Sequence, residues 1–333
     1  MSKISVLGAG TWGMALARML SNSGHEVTVW SALPEEIREL QKTRRQKNLP
    51  DMVIPKEIIF RENIEEACEG REILLFAVPS VFVRSTARKA APYVSSEQII
   101  VDVAKGIEPE TLFTMSEVIA SEIPQVPVVA LSGPTHAEEV AKDLPTTIVA
   151  AHADLQIAEK IQKVFSNSVL RVYTNTDIKG VELCGALKNI IALGTGICAG
   201  LGYGDNTKAA LITRGLAEMT RLGLRMNCRM STFSGLAGMG DLIVTATSLH
   251  SRNNRCGVLI GQGFSVDEAV RKVGMVVEGI NAIPAAMSLA EKYQVEMPLV
   301  TAANEIINHG KSPKDVVGEL MGRDSKVEWA VEE

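Results

Sequence analysis

Short, β-branched apolar runs recur through the first half of the chain, at residues 4–7, 27–30, 58–60, 73–78, 99–103, 126–131 and 148–150. Helical stretches separate them, and that alternation predicts βαβ units around a parallel sheet. The run at 73–78 is apolar throughout, without period-2 alternation, so it reads as a central strand covered by helices on both faces. After about Thr176 the strand punctuation stops, and periodic apolar residues, glycines and helix caps continue to the C-terminus. The fold class expected is α/β: a doubly wound, mostly parallel sheet over residues 1–176, then an all-helical part over 177–333, packed closely together. Ser265-Val266-Asp267-Glu268 reads as a capping box, and Ser312-Pro313 as an N-cap followed by a proline at N1.

The chain has 333 residues, 46% of them hydrophobic, enough to bury a large core and of a length at which chains usually split into two domains. Its 34 basic and 39 acidic residues leave a net charge of -5 without long like-sign runs, which disfavours a nucleic-acid partner. No long uninterrupted apolar stretch suggests membrane insertion, and residues 3–6 read as a first strand and not as a signal peptide. Five cysteines, widely spaced and never in a CxxC pair, indicate neither a disulfide framework nor a zinc knuckle. A cytoplasmic protein is expected. The five histidines share no metal-ligand spacing, so no metal site is expected, and no G-x-S-x-G elbow suggests a serine hydrolase.

Gly8-Ala9-Gly10-Thr11-Trp12-Gly13 follows the first strand directly and opens a helix. In that context Gly8 would make the tight turn, Gly10 would let the backbone approach a pyrophosphate, and Gly13 would let helix pack on strand. An ordinary glycine-rich turn is the alternative. The clusters at 200–204 and 235–240 follow no strand, so helix packing or close approach to a substrate explains them better. The acid that usually ends the second strand and binds the ribose hydroxyls of NAD is missing from Val29-Trp30-Ser31-Ala32-Leu33. No basic residue stands there for a 2′-phosphate either, and Arg38, Arg44 and Arg45 read as a solvated face. Both NADH and NADPH stay open, with the missing acid leaning toward NADPH.

Lys188 and Asn189 interrupt an otherwise apolar helix over 183–193. Desolvation there would lower the lysine pKa toward that of a general acid/base, although a snorkelling surface lysine gives the same pattern. Lys105 ends an apolar strand at the sheet edge where α/β proteins bind ligands, a place where surface lysines are also common. Ser132-Gly133-Pro134-Thr135 ends another strand, as a turn or as a set of hydrogen-bond donors. Asp241 precedes Ser251-Arg252-Asn253-Asn254-Arg255, where arginine beside Ser and Asn suits a phosphate as well as it suits a solvated loop.

Taken in order, Gly8 to Gly13, Ala104-Lys105-Gly106, Ser132-Gly133-Pro134-Thr135, Gly185-Ala186-Leu187-Lys188-Asn189, Ala210-Leu211-Ile212-Thr213-Arg214-Gly215, Gly240-Asp241-Leu242, Ser251-Arg252-Asn253 and Val277-Glu278-Gly279 closely resemble the soluble bacterial type of the NAD(P)-dependent glycerol-3-phosphate dehydrogenase family. The match spans nearly the whole chain. It implies a Rossmann domain and a helical domain holding the substrate between them. It also implies NAD(P)H-dependent interconversion of dihydroxyacetone phosphate and sn-glycerol 3-phosphate for phospholipid synthesis. Carried over, Lys188 becomes the proton donor to the C2 oxygen, and Lys105 touches cofactor and substrate. Gly133, Thr135, Asp241, Ser251, Arg252 and Asn253 line the substrate site. Gly8, Gly10, Thr11, Trp12, Gly13, Ala137, Val276 and Glu278 match cofactor positions, and Arg252 serves both sites. The family often has a basic residue or His where this chain has Ala32.

Rival readings are a 3-hydroxyacid or 6-phosphogluconate type of dehydrogenase and a non-catalytic dinucleotide sensor. The former act on carboxylates, whereas Ser251-Arg252-Asn253 suits a phosphorylated ketone; the latter has no use for a lysine inside an apolar helix. A homodimer is the default expectation for the assembly.

Overall fold

The computed structural model describes residues 1–325 and 327–328; residue 326 and residues 329–333, the end of the stretch expected to be helical, lie outside the described residues. Eight strands form one sheet: β1 (Lys3–Leu7), β2 (Glu26–Trp30), β3 (Ile59–Arg61), β4 (Ile73–Phe76), β5 (Ile99–Asp102), β6 (Val128–Ser132), β7 (Thr146–Ala151) and β8 (Leu170–Asn175). Between them run α1 (Thr11–Asn22), α2 (Pro34–Thr43), α3 (Ile64–Cys68), α4 (Val83–Ala90), α5 (Met115–Glu122), α6 (Ala137–Val140) and α7 (Leu155–Phe165). The sheet order is β3-β2-β1-β4-β5-β6-β7-β8, and all neighbours are parallel except β6 and β7.

This is the doubly wound, mostly parallel sheet that the apolar runs imply. The chain winds outward from β1 to β3, then returns beside β1 and winds the other way from β4, so β1 and β4 flank a switch point. Leu7 is in register with both Trp30 and Phe76, and Phe76 with Asp102. The residues that follow, Gly8, Ser31, Ala77 and Val103, therefore leave the sheet along one edge.

β8 is an addition to the seven runs seen in the sequence. Its Leu170 and Val172 are buried while Arg171 and Tyr173 face solvent, the alternation of an edge strand with one wet face.

After β8 the described residues are helical: α8 (Ile178–Gly200), α9 (Asp205–Arg225), α10 (Met230–Phe233), α11 (Asp241–Thr247), α12 (Arg252–Gly261), α13 (Val266–Val273), α14 (Glu278–Lys292), α15 (Pro298–Ile307) and α16 (Pro313–Met321). α8 is buried on every side from Gly180 to Leu193, as its all-round apolar sequence requires. It organises a second core that includes Leu187, Ile191, Leu222, Phe233 and Ile283, separate from the core beneath β1, β2 and α1. α12 meets α8 backbone to backbone: a Cβ on Gly196 would collide with the Asn254 carbonyl, and one on Gly257 with the Leu193 carbonyl. That contact brings the start of α12 beside Asn189.

Local signals behave as their chemistry dictates. Ser265 and Glu268 form a reciprocal capping box on α13. Ser312 precedes Pro313 at the start of α16, but its side chain makes no cap hydrogen bond. Of the two later glycine clusters, Gly200 packs against Val258 and Gly261, and residues 236–240 form a wide π-turn whose Gly238 lies on the Phe233 carbonyl.

Candidate active site

The glycine turn divides its work as its spacing suggests. Gly8 has φ +126°, and a Cβ there would stand 2.5 Å from the Ala77 carbonyl oxygen, so this corner of the β1–β4 edge has room only for glycine. A Cβ on Gly13 would run into the Gly8 carbonyl, which lets α1 press against the turn. Gly10, between them, has nothing within 4 Å of its Cβ position. It is the N-cap of α1 with no side-chain cap bond, so open space adjoins the helix N-terminus, and the residues present fit a dinucleotide pyrophosphate. Thr11 Oγ1 accepts a hydrogen bond from Asn48 Nδ2 at 3.0 Å, and Trp12 packs half-buried on the core. Ala137 opens the short α6, also against that core.

Further along the edge, two lysines converge on one carboxylate. Lys188 Nζ, from α8, donates to Asp241 Oδ1 at 2.5 Å and to Thr245 Oγ1 at 2.6 Å. Lys105 Nζ, from the loop after β5, donates to Asp241 Oδ2 at 2.7 Å and to the Gly133 carbonyl at 3.2 Å. Each ammonium thus makes two hydrogen bonds among the described residues, of the three it can donate. Thr135 Oγ1 also donates to the Gly133 carbonyl, at 3.1 Å, which fixes the turn after β6.

Lys188 is 4% exposed, and burial lowers its pKa to about 7. Asp241 opposes the shift and Lys105 adds to it, so the group stands at its proton-exchange point near neutrality. Snorkelling does not describe it: the ammonium is enclosed, not raised to the surface.

A second group lies at the start of α12. Ser251 caps this helix, its Oγ accepting from Asn254 N at 3.2 Å. The half-buried Arg252 donates from Nη1 to the Val276 carbonyl at 3.3 Å. Asn253 accepts from Gly279 N at 2.8 Å and donates to Asn189 Oδ1 at 2.9 Å, and Asn189 Nδ2 donates to the Gly185 carbonyl at 3.1 Å. Asn253 thereby ties the 276–279 segment to the residue beside Lys188.

From the same segment Glu278 crosses to the sheet edge. Its Oε2 accepts from Ser80 Oγ at 2.6 Å and its Oε1 from Ser80 N at 3.1 Å. Ser80 in turn abuts Gly106, the neighbour of Lys105: a Cβ on Gly106 would collide with the Ser80 side chain. Lys105, Gly133, Thr135, Lys188 and Asp241 thus form one group, joined through Ser80 and Asn189 to Glu278 and Asn253, and this candidate cleft lies along the sheet edge that carries the glycine turn.

The chain's likeness to known proteins follows the same division. Residues 3–158 match the description NAD-dependent glycerol-3-phosphate dehydrogenase N-terminus, and residues 177–318 match the C-terminus of the same family. The chain is 66% identical over 334 residues, 98% of its length and 99% of the relative's, to a protein of Lactobacillus delbrueckii subsp. bulgaricus named as an NAD(P)+ glycerol-3-phosphate dehydrogenase. This chain belongs to the NAD-dependent glycerol-3-phosphate dehydrogenase family. An Agathobacter rectalis protein of the same name is 52% identical over 98% of both chains. A crystal structure of glycerol-3-phosphate dehydrogenase from Coxiella burnetii superposes with a TM-score of 0.93 at 36% identity, covering 97% of this chain and 99% of that one. Members of this dehydrogenase family are oxidoreductases, and the names of both relatives carry NAD(P), in keeping with the expected NADH or NADPH.

Sequence reasoning left out several residues of this cleft. Thr245 was within reach, because it lies four residues after Asp241 on one helix face. Ser80, Asn48 and the pairing of Asn189 with Asn253 carry no local signal, since each partner is remote in sequence.

Proposed function

We propose that this chain catalyses the reversible reduction of dihydroxyacetone phosphate to sn-glycerol 3-phosphate with NADH or NADPH, supplying glycerol phosphate for phospholipid synthesis. The observation that carries the reading is the buried Lys188 ammonium, paired with Asp241, which also holds Lys105 from the sheet edge that carries the glycine turn. In this reading residues 1–176 hold the dinucleotide and residues 177–333 hold and protonate the substrate. The bound nicotinamide supplies or accepts the hydride at the substrate's C2.

Lys188 holds the proton that the C2 oxygen takes up as the ketone is reduced, and receives it back from the alcohol in the reverse direction. A pKa of about 7 suits both directions, because neither protonation state is far from reach. Asp241 keeps the ammonium oriented and balances the two lysine charges. Lys105 presents its free N–H to the same oxygen-rich substrate, and its position next to Gly106 and Ser80 keeps it beside the cofactor wall. Arg252 is suited to the phosphate, since its guanidinium donates only one described hydrogen bond and offers the rest in a fork. Gly133 and Thr135 shape the turn against which the substrate lies. Thr11, Trp12, Ala137, Val276 and Glu278 complete the dinucleotide wall.

The chain is read as a cytoplasmic enzyme: its five cysteines are free and buried. Among the described residues, the one helix long and apolar enough to cross a membrane, Ile178–Gly200, is 83% buried inside the protein. A homodimer remains part of the reading, and sedimentation velocity checks it. The reaction itself is tested by supplying dihydroxyacetone phosphate with NADH and, separately, with NADPH, each deuterated at the transferable position. Glycerol 3-phosphate carrying deuterium at C2 is expected; absence of product, or product without the label, overturns the proposal.

A further inference from the structure

The adenosine end of the cleft, where the sequence lacks the usual acid, is not without a carboxylate. Gly8 N donates to the Trp30 carbonyl at 2.8 Å, so the residue after β2 stands directly beside the glycine turn. That residue, Ser31, is 6% exposed, and its Oγ donates to Glu36 Oε2 at 2.7 Å while accepting from Leu33 N at 3.2 Å. Glu36 comes from the first turn of α2, which starts at Pro34, and it reaches back to the end of β2. The carboxylate missing at position 31 is thus delivered from position 36 through a serine hydroxyl.

Among the described residues, four arginines on this flank have their partners away from Glu36. Arg38 lies on Glu62 at 3.0 Å, and Arg61 on Glu66 at 3.1 Å. Arg44 donates to the carbonyls of Pro55 and Ile58, and Arg45 to that of Pro50. Lys42 and Lys47 have no ion pair among the described residues, but they stand at the far end of α2 and beyond it.

We infer that Glu36, held by Ser31, is the specificity-determining residue for the dinucleotide and selects NADH against NADPH. A carboxylate there accepts hydrogen bonds from ribose hydroxyls and repels a 2′-phosphate, and among the described residues no arginine pairs with Glu36 or Ser31. This is opposite to the lean toward NADPH that the missing acid suggests in the sequence. The inference rests on the dinucleotide reading of the Gly8–Gly13 turn.

Calorimetric titration of the full chain with NADH and with NADPH, without substrate, tests it. Wild type is expected to bind NADH at least about tenfold more tightly, the scale of one partly solvated like-charge contact. Glu36→Gln keeps an acceptor for Ser31 and removes the charge, so it should narrow the ratio mainly by strengthening NADPH binding. Ala32→Arg should move the ratio further the same way. Equal or tighter binding of NADPH by wild type overturns the inference. So does a ratio unmoved in a folded Glu36→Gln protein, which would leave Glu36 as part of the helix start alone. Failure to bind either dinucleotide would instead sink the reading of the turn.

Discussion

Asp241 Oδ1 accepts a hydrogen bond from Lys188 Nζ at 2.5 Å, joining α11 to the buried middle of α8. Lys105 occupies the other oxygen at 2.7 Å. One carboxylate between two ammonium groups offsets part of their repulsion, and Asp241 raises the Lys188 pKa that burial lowers. Asp241→Asn keeps the shape and removes the charge. The variant should reduce dihydroxyacetone phosphate about 10²-fold more slowly, the scale of a mispositioned general acid. Its alkaline limb should also move to lower pH, and steady-state rates across pH check both.

The two directions should have opposite pH limbs. Ketone reduction needs protonated Lys188, so its rate falls as pH rises through about 7; alcohol oxidation needs the neutral amine, so its rate falls as pH drops through the same value. Stability follows the same group with a definite sign. The ordinary lysine value is 10.5 and the folded value about 7, so the folded state binds fewer protons between them. The cost of burying the ammonium is fully present below pH 7 and is relieved as pH rises toward 10.5. Compared with Lys188→Met, wild type should therefore gain in urea midpoint over that window.

Ser80 and Glu278 bridge the two walls of the cleft across 198 residues. Ser80→Ala removes the hydroxyl bond to a carboxylate and leaves the backbone bond. A hydrogen bond to a charged group contributes about 1.5–3 kcal/mol, so KM for the dinucleotide should rise about tenfold. kcat should change less, because Ser80 touches none of Lys188, Asp241 or Arg252 among its described hydrogen bonds. Initial-rate measurements that separate KM from kcat decide this, and Ser80→Thr, which keeps the hydroxyl, should restore part of the loss.

Two glycines should respond in opposite directions to the same change. Gly257 sits where α12 meets the α8 backbone, so Gly257→Ala should cost about 1–3 kcal/mol through overpacking. Gly318 lies inside α16 with nothing within 4 Å of its Cβ position, so Gly318→Ala should add about 0.5–1 kcal/mol from helix propensity. Urea titration of both variants measures the contrast.

Much of the candidate site shows in the sequence because its markers break local rules. Three glycines follow a strand, and a lysine with an asparagine interrupts an apolar helix; both patterns show in a short window. What escaped depends on register and on chain pairs far apart. β8 escaped because an edge strand alternates where a central strand is continuous. Glu36 escaped because the relevant acid lies five residues past the expected position and acts across a helix turn, which only the Ser31 hydrogen bond reveals. Ser80 is an ordinary serine after a proline until α14 brings Glu278 to it.

Proton transfer by Lys188 is open to direct measurement through single-turnover oxidation of bound NADH by dihydroxyacetone phosphate. Wild type, Lys188→Ala and Lys188→Arg would be compared near pH 7, with NADH affinity measured alongside. Both variants should bind NADH as wild type does and turn over about 10³-fold more slowly, since alanine has no proton and arginine does not release one. A Lys188→Ala protein that keeps more than about a tenth of the wild-type rate would contradict the account, because general acid catalysis contributes far more than that.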